Sequence, residues 1–486
     1  MSAVAKILEW PADPRDLLPF ALWDAASIAA ATGGVASGEF QVAGVEIDSR
    51  DVIPGDLFFA LKGEAMDGHR FVEAALAKGA VAAVVDRPID GPHVLVEDTI
   101  AALVALAKAA RERGEAKIVG VTGSVGKTGV KEALFAALER SSRGQAHRSV
   151  KSYNNHVGVP LSLARMPARA DFGVFEMGMN HAGEIAALTA QVRPHVAVIT
   201  TIAPAHIENL GSEEAVAAAK AEIFLGLEPG GTAVIPADSP HCAALRAAAE
   251  RCGASVVRFG RAADADVRLM DAVASPGGGS LVTADLGDRR LCYTVAAPGE
   301  HWIANSLAVI AAVRAVGGDL GAAGLALAEM DGLKGRGERH SLRTADGGAA
   351  LLIDESYNAN PASMRATLAQ LAATPAQRRI AVLGAMKELG DFSPGFHAAL
   401  AEPLIEAGVD QAILVGDEMA ALADELGTSR AVALGNAPAF AHCGSPEEAL
   451  AALRALGVKT GDAILVKGSN SVGLGTVVAA LAAQED

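Results

Sequence analysis

The sequence predicts an α/β protein of more than one domain. Short apolar runs rich in Val, Ile and Phe alternate with longer Ala-rich segments of helical periodicity along most of the 486 residues. Hydrophobic residues make up 51% of the chain and aromatic residues only 4%, so alanine and aliphatic side chains fill the predicted cores. Because a chain of this length is too long for one hydrophobic core, we expect two to four domains.

Charge and cysteine usage narrow the possible functions. The formal net charge of −16 argues against general binding of nucleic acid or anionic membranes, although a local group of cations suffices for a small anionic ligand. The 4 cysteines lack CxxC spacing, which argues against a disulfide framework in so long a chain. The sequence shows neither a signal peptide nor a run of about 18 apolar residues. We therefore expect a soluble, cytoplasmic protein that does not insert into membranes. We also expect a monomer.

Changes in the pattern predict three domains, at residues 1–97, 98–331 and 332–486. In the first, short strands alternate with one clear helix, "HRFVEAALAKGA". In the second, "KIVGVTGS", "FGVFEMG" and "VAVITTI" have the continuous apolar content of parallel strands buried on both faces, and residues 264–298 indicate a small antiparallel insertion. In the third, regular alternation of strands and helices predicts a Rossmann-like doubly wound sheet.

A glycine-rich loop begins the second domain. The stretch "VTGSVGKTGVKEALFAAL" follows a predicted buried strand and opens a helix, as in a P-loop ATPase-like sheet. Its glycines let backbone amides face a phosphate, its lysine adds a positive charge, and its threonine hydroxyl can bind magnesium. The spacing departs from the usual motif, so a chance Gly-Lys-Thr is the alternative, but the strand–loop–helix context favours a nucleotide site. The predicted nucleotide-binding residues here are Gly123, Ser124, Val125, Gly126, Lys127 and Thr128.

Polar residues follow two other predicted strands. Glu176 ends the apolar strand "DFGVFE", where a buried carboxylate is costly unless it is hydrogen-bonded or binds a metal. His206 follows "VAVITTI" after a short loop. Taken singly, a structural glutamate and an ordinary loop histidine are the simpler interpretations. Because ligands gather at the carboxyl ends of parallel strands, we expect both residues to approach the phosphate and its magnesium, together with Asn154 or Asn155 of "SYNNHVGVP".

Lys220 lies on the apolar face of a predicted helix. In "SEEAVAAAKAEIFLGL" Ser212 suits the N-cap, and Lys220 comes four residues after Val216 and three before Ile223, among the apolar positions. One interpretation is a lysine whose stem packs while its ammonium reaches water. The other is a desolvated amine that loses its proton and adds carbon dioxide, because the resulting carbamate offers two oxygens to magnesium.

Together these motifs resemble the Mur ligases, ATP-dependent amide-forming enzymes of bacterial peptidoglycan synthesis, over essentially the whole chain. In that family a lysine in a helix after a histidine-bearing loop is carbamylated, and "AHIENLGSEEAVAAAKAEIF" is similar. The resemblance implies ATP, two magnesium ions and carbamylated Lys220. It implies catalytic roles for Lys127, Lys220, His206 and Glu176, and magnesium ligation by Thr128, Glu176, His206 and Lys220. The implied nucleotide contacts from outside the loop are His301, Asn305 and one of Arg336 and Arg339.

Within the family the chain resembles the branch that joins D-alanyl-D-alanine to the UDP-N-acetylmuramoyl tripeptide, the last cytoplasmic step towards the peptidoglycan UDP-pentapeptide precursor. "DSRDVIPGDLFFALKGEAMDGH" resembles its UDP-binding N-terminal domain, and "IDESYNANPASM" and "VLGAMKELG" resemble its C-terminal signatures. Glu355 departs from the aspartate expected at its position. The implied substrate-binding residues are Ser49, Arg50, Lys62, Asn154, Asn155, Glu355, Tyr357, Asn358, Lys467 and Ser469.

The resemblance also implies a reaction course. The tripeptide carboxylate attacks the γ-phosphate of ATP, the dipeptide amine displaces phosphate from the acyl phosphate, and domain closure excludes water. The nearest alternative is another ligase of the superfamily, such as the enzyme that adds the third amino acid or a folylpolyglutamate synthetase. An alternative of a different class is a nucleotide-dependent switch, which explains the glycine loop but leaves Lys220 and the third domain without a role.

Overall fold

The structure is a computed structural model that describes residues 21–63, 66–205, 207–275, 278–330, 332–428 and 437–483. The chain divides into two compact units. One contains the described residues up to 118 together with 145–177 and 187–193, and the other contains 119–144, 178–186 and the described residues from 194 onward. Within the described ranges, no helix has both the length and the apolar content that a membrane crossing requires.

The N-terminal part of the chain forms a mixed sheet covered by helices. Its strands are β1 (Trp23–Asp24), β2 (Val35–Ala36), β3 (Gln41–Val42), β4 (Gly44–Glu46), β5 (Asp56–Phe59), β6 (Ala82–Val85) and β7 (His93–Leu95). Its helices are α1 (Ala25–Thr32), α2 (Val72–Ala77) and α3 (Thr99–Glu112). The sheet order is β2-β7-β6-β5-β4 with only β2 and β7 antiparallel, and β1 pairs with β3 beside it. Ile28, Phe59 and Leu103 pack together in the core between this sheet and α1 and α3.

The middle of the chain carries the glycine loop and the strands that precede and follow it along the sequence. They are β8 (Lys117–Thr122), β9 (Ala146–Arg148), β10 (Phe172–Glu176), β11 (Val196–Ile199), β12 (Thr232–Pro236), β13 (Ser255–Gly260), β14 (Val267–Ala274), β15 (Ser280–Asp285) and β16 (Arg290–Val295). The helices are α4 (Lys127–Ser141), α5 (Gly158–Ala164), α6 (Glu184–Val192), α7 (Ile207–Leu210), α8 (Glu213–Ala221), α9 (Cys242–Arg251), α10 (Glu300–Val316) and α11 (Leu320–Glu329).

Pairing of these strands corrects one prediction. In the second unit β8, β11, β12, β13 and β14 pair in parallel in that order, and β15 and β16 continue the sheet antiparallel. The antiparallel pairing predicted at residues 264–298 is confirmed, but the segment is not a separate insertion, because β14 also hydrogen-bonds to β13. In the first unit β9 and β10 form a parallel pair.

The C-terminal part is a doubly wound sheet. Its strands are β17 (Glu338–Arg343), β18 (Ala349–Glu355), β19 (Arg378–Gly384), β20 (Gln411–Val415), β21 (Ala439–Cys443) and β22 (Asp462–Lys467). Its helices are α12 (Pro361–Ala373), α13 (Ser393–Ala398), α14 (Ala401–Glu406), α15 (Ala420–Thr428), α16 (Pro446–Leu456) and α17 (Gly475–Ala482). The order is β17-β18-β22-β19-β20-β21, and only β17 and β18 are antiparallel. Alternate residues of β19 enter two different cores, Ile380 and Val382 on one face and Ala381 and Leu383 on the other.

The predicted α/β fold class is confirmed, and so are several local details. Asp98 caps α3 by accepting hydrogen bonds from the amides of Ile100 and Ala101, and the Ser212 hydroxyl caps α8 by accepting one from the amide of Ala215 at 3.2 Å. Six strands were not predicted: β1, β2, β9, β13, β17 and β21. The division into three domains at residues 97 and 331 stays a prediction.

Candidate active site

The glycine loop joins β8 to α4 and has no room for larger side chains. Gly123 has φ 149°, and a Cβ there would lie 2.0 Å from the Thr200 hydroxyl oxygen. Gly126 has φ 88°, and its Cβ would lie 2.7 Å from Asn305 Oδ1. Only glycine tolerates both the backbone conformation and the close approach. The first amides of α4 follow directly, so the loop and the helix N-terminus form a cradle that fits a phosphate.

Contacts with the segment after β11 hold this loop in place. The Thr200 hydroxyl donates to the Val125 carbonyl at 2.5 Å. The Ser124 amide donates to the Thr201 carbonyl at 2.7 Å, and its hydroxyl donates to the Ala203 carbonyl at 2.9 Å. Sequence reasoning did not identify Thr200, because a threonine at the end of a strand is common and its partner lies 75 residues away along the chain.

Two lysines lie close enough to influence each other beside the loop. Lys127 Nζ donates to the Gly123 carbonyl at 2.7 Å. Lys220, on α8, is only 1% exposed, which confirms that it falls on the buried face of its helix. Burial lowers the pKa of Lys220 well below its usual 10.5, and the positive charge of Lys127 lowers that pKa further. The Lys220 amine is therefore poised to lose its proton, as carbamate formation requires.

Helix α10 contributes to the other side of the loop. Asn305 is buried, with its amide group against Gly126, and the Trp302 ring lies against Gly129, where a Cβ would meet it at 2.9 Å. The pKa of His301 is lowered to about 4 by burial and, to a smaller extent, by the charge of Lys467. At neutral pH the His301 imidazole is therefore uncharged.

The segment between α11 and β18 brings Arg336 to the same region as β22. The Arg336 guanidinium stacks on the Tyr357 ring at 4.3 Å, and the Arg336 charge lowers the pKa of Lys467 in addition to the larger effect of burial. Asp354 shapes this region, because its carboxylate accepts the amides of Gly335 at 2.9 Å and Ser356 at 3.0 Å.

Lys467 links the predicted residues of β18 and β22. It is buried at the end of β22, where its ammonium donates to the Asn358 carbonyl at 2.9 Å and to Glu355 Oε2 at 3.4 Å. The longer glutamate side chain, noted as a departure from the expected aspartate, therefore reaches Lys467. Arg339, the alternative to Arg336, is exposed on β17.

A cavity of about 330 Å³ lies where the glycine loop meets the C-terminal part of the chain. Ser124 lines one side, and Asn358, Lys387 and Ser469 line the other. The Ser469 hydroxyl accepts a hydrogen bond from the Lys387 amide at 3.0 Å. The cavity is within the size range of small-ligand sites, and its lining is mainly polar side chains. Lys387 was not predicted, because only the fold brings "VLGAMKELG" beside "KGSNSVGL".

The first unit holds Glu176 and the two asparagines. Glu176 is buried at the end of β10, and Asn154 Nδ2 donates to its Oε1 at 2.8 Å. Asn155 Oδ1 instead accepts the Gly158 amide at 2.8 Å at the start of α5. The structure therefore pairs Asn154, and not Asn155, with Glu176.

The predicted UDP-binding residues of the first unit differ in their surroundings. Arg50 is exposed, and its guanidinium binds Asp48 at 2.6 Å, which lowers the pKa of that carboxyl to about 2. Ser49 is half-buried beside it. Lys62 is exposed in a short backbone bridge with Asp67. The remaining predicted ligand, His206, lies outside the residues that the structure describes.

Known families and structures resemble this chain along most of its length. Residues 41–121 match the catalytic domain of the Mur ligase family, residues 121–313 the Mur ligase middle domain, and residues 335–470 the Mur ligase glutamate ligase domain. The UDP-N-acetylmuramoyl-tripeptide--D-alanyl-D-alanine ligase of Synechocystis sp. is 37% identical over 458 residues, which cover 92% of this chain and 94% of the relative.

Two solved structures extend the comparison. MurF from Acinetobacter baumannii is 31% identical with a TM-score of 0.80, over 95% of this chain and 99% of that one. MurF ligase from Thermotoga maritima, in complex with ADP, is 27% identical with a TM-score of 0.73, over 91% of this chain and 97% of that one. Since all three family domains match in order and a relative shares 37% identity over 92% of the chain, this protein belongs to the Mur ligase family.

Proposed function

We propose that this chain is an ATP-dependent ligase that joins D-alanyl-D-alanine to UDP-N-acetylmuramoyl-tripeptide. The observation that carries the proposal is the polar cavity of about 330 Å³, which has the glycine loop on one side and Asn358, Lys387 and Ser469 on the other. An acceptor bound there would lie next to the phosphates on the loop, as an amide ligase requires. The names of the relatives with high coverage agree with this reaction.

The nucleotide binds at the glycine loop. The amides of the loop and of the first turn of α4 surround the phosphates, Lys127 contributes its charge, and Arg336 reaches them from the segment before β17. Of the two candidate arginines, Arg336 is the better choice, because it lies beside Lys467 and Tyr357. Asn305 and His301 contact the nucleotide from α10.

Magnesium fits the hard oxygen donors of this site. Thr128 and carbamylated Lys220 would hold it, and Glu176 and His206 are assigned as further ligands from the sequence alone. The carbamate forms when the neutral Lys220 amine attacks carbon dioxide, so that a nitrogen–carbon bond forms and one proton leaves. When bound, magnesium neutralises charge on the phosphates and so allows two anions to approach each other.

The chain's own residues then direct two transfers. The tripeptide carboxylate attacks the γ-phosphorus of ATP, and the bond between that phosphorus and ADP breaks. Lys127 and Arg336 neutralise the negative charge that develops on the phosphates. The dipeptide amine next attacks the acyl carbon, phosphate leaves, and the amine gives up a proton to form the amide. Lys387 suits the terminal carboxylate of the dipeptide, since it is the cation among the residues that line the cavity. Tyr357, Glu355 and Lys467 complete the C-terminal substrate contacts, and Ser49, Arg50 and Lys62 bind the UDP end.

Phosphate release is the direct test. With ATP, magnesium and the UDP-tripeptide, we expect phosphate release to depend on added D-alanyl-D-alanine. D-alanine alone, a free diaminopimelate or glutamate should support less than roughly a hundredth of that rate, because a single amino acid lacks the second residue and cannot place its carboxylate at the same distance from the reacting amine, which leaves cavity groups unpaired. Turnover with a single amino acid would identify a sibling ligase instead, and no release with any amine would favour a nucleotide-dependent switch.

A further inference from the structure

The cavity of about 330 Å³ that the proposed function assigns to the dipeptide acceptor has a short loop as one wall. We call this loop, residues 385–390, the acceptor loop. It contains Lys387 and Glu388, both of which line the cavity. Glu388 has φ 63°, a left-handed conformation that non-glycine residues seldom adopt. Such a conformation persists only where surrounding contacts fix the backbone. The contacts that fix this loop therefore determine where Lys387 and Glu388 meet a ligand.

Two side chains hold the backbone on either side of Met386, just before Lys387. The Met386 amide donates to His397 Nε2 at 2.9 Å, and the Lys387 amide donates to the Ser469 hydroxyl oxygen at 3.0 Å. Both hydrogen-bond acceptors lie outside the acceptor loop, since His397 is on α13 and Ser469 follows β22. Two consecutive peptide groups, Ala385–Met386 and Met386–Lys387, are thus each held by a side chain, which defines the backbone path into Lys387.

The His397 ring can act as an acceptor only when it is neutral. It is fully buried, and its Nδ1 lies 2.7 Å from the Ser393 carbonyl, so the proton is on Nδ1 and Nε2 is free to accept. Burial lowers the pKa of His397. The charged groups that act on the ring are Glu418, which raises its pKa, and Lys387, which lowers it. Glu418 and Lys387 form an ion pair with each other. Because their charges have opposite signs, their effects on the pKa of His397 oppose each other.

We propose that His397 is a positioning residue for the acceptor substrate: its neutral Nε2 fixes the Ala385–Met386 peptide and so sets the geometry with which the acceptor loop binds the dipeptide. This inference rests on the proposed function, since it assigns the cavity to the dipeptide. His397 does not touch the reacting atoms. Its effect should therefore appear in the KM for the dipeptide and leave the nucleotide site unchanged.

A matched pair of variants separates positioning from packing. In His397→Gln the side-chain oxygen can occupy the place of Nε2 and accept the Met386 amide. In His397→Asn the shorter amide can serve only the Ser393 carbonyl. We expect the Asn variant to raise the KM for D-alanyl-D-alanine roughly fivefold to tenfold, as the loss of one buried hydrogen bond implies. We expect the Gln variant to stay within about twofold of the unaltered protein, and KM for ATP to stay within about twofold in both.

The outcomes are distinct. Equal KM values for the dipeptide in the Asn variant and the unaltered protein would overturn the inference while leaving the proposed function intact. Equal losses in both variants, for ATP as well as for the dipeptide, would show packing alone and would also overturn it. Absence of dipeptide-dependent phosphate release by the unaltered protein would overturn both the function and the inference.

Hydrogen exchange on the unaltered protein provides a test that needs no variant. If the Asn variant does not fold, amide exchange at Met386 and Lys387 still reports the two bonds. We expect both amides to be protected in the free protein and more strongly protected when D-alanyl-D-alanine is added with ATP and the UDP-tripeptide analogue. Unprotected amides, or no change on adding the dipeptide, would contradict the positioning role.

Discussion

Lys220 is buried on α8, and the charge of Lys127 disfavours a second positive charge beside it. Both effects lower the pKa of Lys220 below its usual 10.5. Removing the proton relieves the desolvation cost, and adding carbon dioxide turns the group into an anion that attracts Lys127. The carbamate proposed above as a magnesium ligand would therefore also remove the cost of a positive charge on this buried helix face.

The carbamate can be detected directly. We expect protein equilibrated with ¹³C-bicarbonate at about pH 8 to give a carbamate carbon signal that Lys220→Ala lacks, and we expect the signal to weaken at about pH 6 because only the neutral amine adds carbon dioxide. Lys220→Ala should also lose at least roughly 100-fold in turnover, and added short carboxylates should restore part of it. A Lys220→Ala variant with full activity would exclude the carbamate role.

The same shift predicts a dependence of stability on pH. Because the folded chain binds the Lys220 proton more weakly than the unfolded chain, the unfolded chain carries more protons between the two pKa values. The contribution of this group to the free energy of unfolding therefore rises with pH up to about 10.5. In carbon dioxide-free buffer, Lys220→Met should be more stable than the unaltered protein at neutral pH, and the difference should shrink as the pH rises. Denaturant titrations at several pH values would measure it, and a constant difference would contradict the assignment.

The charge of Lys127 should contribute to the affinity for the nucleotide. Lys127→Ala removes a charge that the proposal places on phosphate oxygens, and charge-assisted hydrogen bonds of this kind imply roughly 10-fold to 100-fold weaker ATP binding. Calorimetric titration with the magnesium complex of ATP measures this. Lys108→Ala, at an exposed position on α3, is the matched control and should leave the affinity unchanged. Equal affinities in all three proteins would remove Lys127 from the site.

At the scale of the element, the glycine loop shows how a β-strand, a turn and a helix together create the phosphate cradle. Gly126→Ala combines a left-handed backbone with a contact of 2.7 Å to Asn305. Gly253→Ala has the same kind of backbone, φ 72°, but nothing lies within 4 Å of its Cβ. The two variants share a cost of about 1 kcal/mol for the backbone conformation, and only the first must also move Asn305.

The expected difference is therefore both structural and functional. Gly126→Ala should lower the melting temperature more than Gly253→Ala does and should weaken ATP binding by at least roughly tenfold, whereas Gly253→Ala should leave ATP binding intact. Thermal unfolding and calorimetric titration of the two variants provide the measurements. If both variants bind ATP equally well, the close packing of Asn305 against the loop is not needed for the nucleotide site.

Over the whole molecule, what the sequence could predict follows from the range of the interactions involved. Local signals sufficed for the Ser212 cap, the burial of Lys220 and the strand–loop–helix unit, because each depends on residues within about two helical turns. The roles of Thr200 and Lys387 depend on partners 75 and 82 residues away, and could not be predicted in this way. His397 lies only 11 residues from Met386, but its contact depends on how the intervening loop folds. Strand β17 was missed because it lies in the polar stretch "GERHSLR" and owes its conformation to pairing with β18.

The expected monomeric state can be argued from the surface as a whole. Large exposed apolar side chains in the described part of the chain lie on separate elements, apart from a small group on the β14–β15 ribbon in which Val273 and Leu281 are cross-strand partners. A stable interface buries about 1,600 Å², far more than two such side chains supply. The net charge of −16 adds repulsion between copies.

We therefore expect light scattering to give the monomer mass of 49.2 kDa at both low and high micromolar concentration, in low and moderate salt. Val273→Thr and Leu281→Thr together serve as the control, because they keep β-branched character at one position while removing the apolar surface. If the unaltered protein instead has twice this mass and the double variant reverts to the monomer, the β14–β15 ribbon is an interface. In that case apolar contact at the ribbon outweighs the charge repulsion between copies. The mass should then rise further with salt, because salt screens that repulsion.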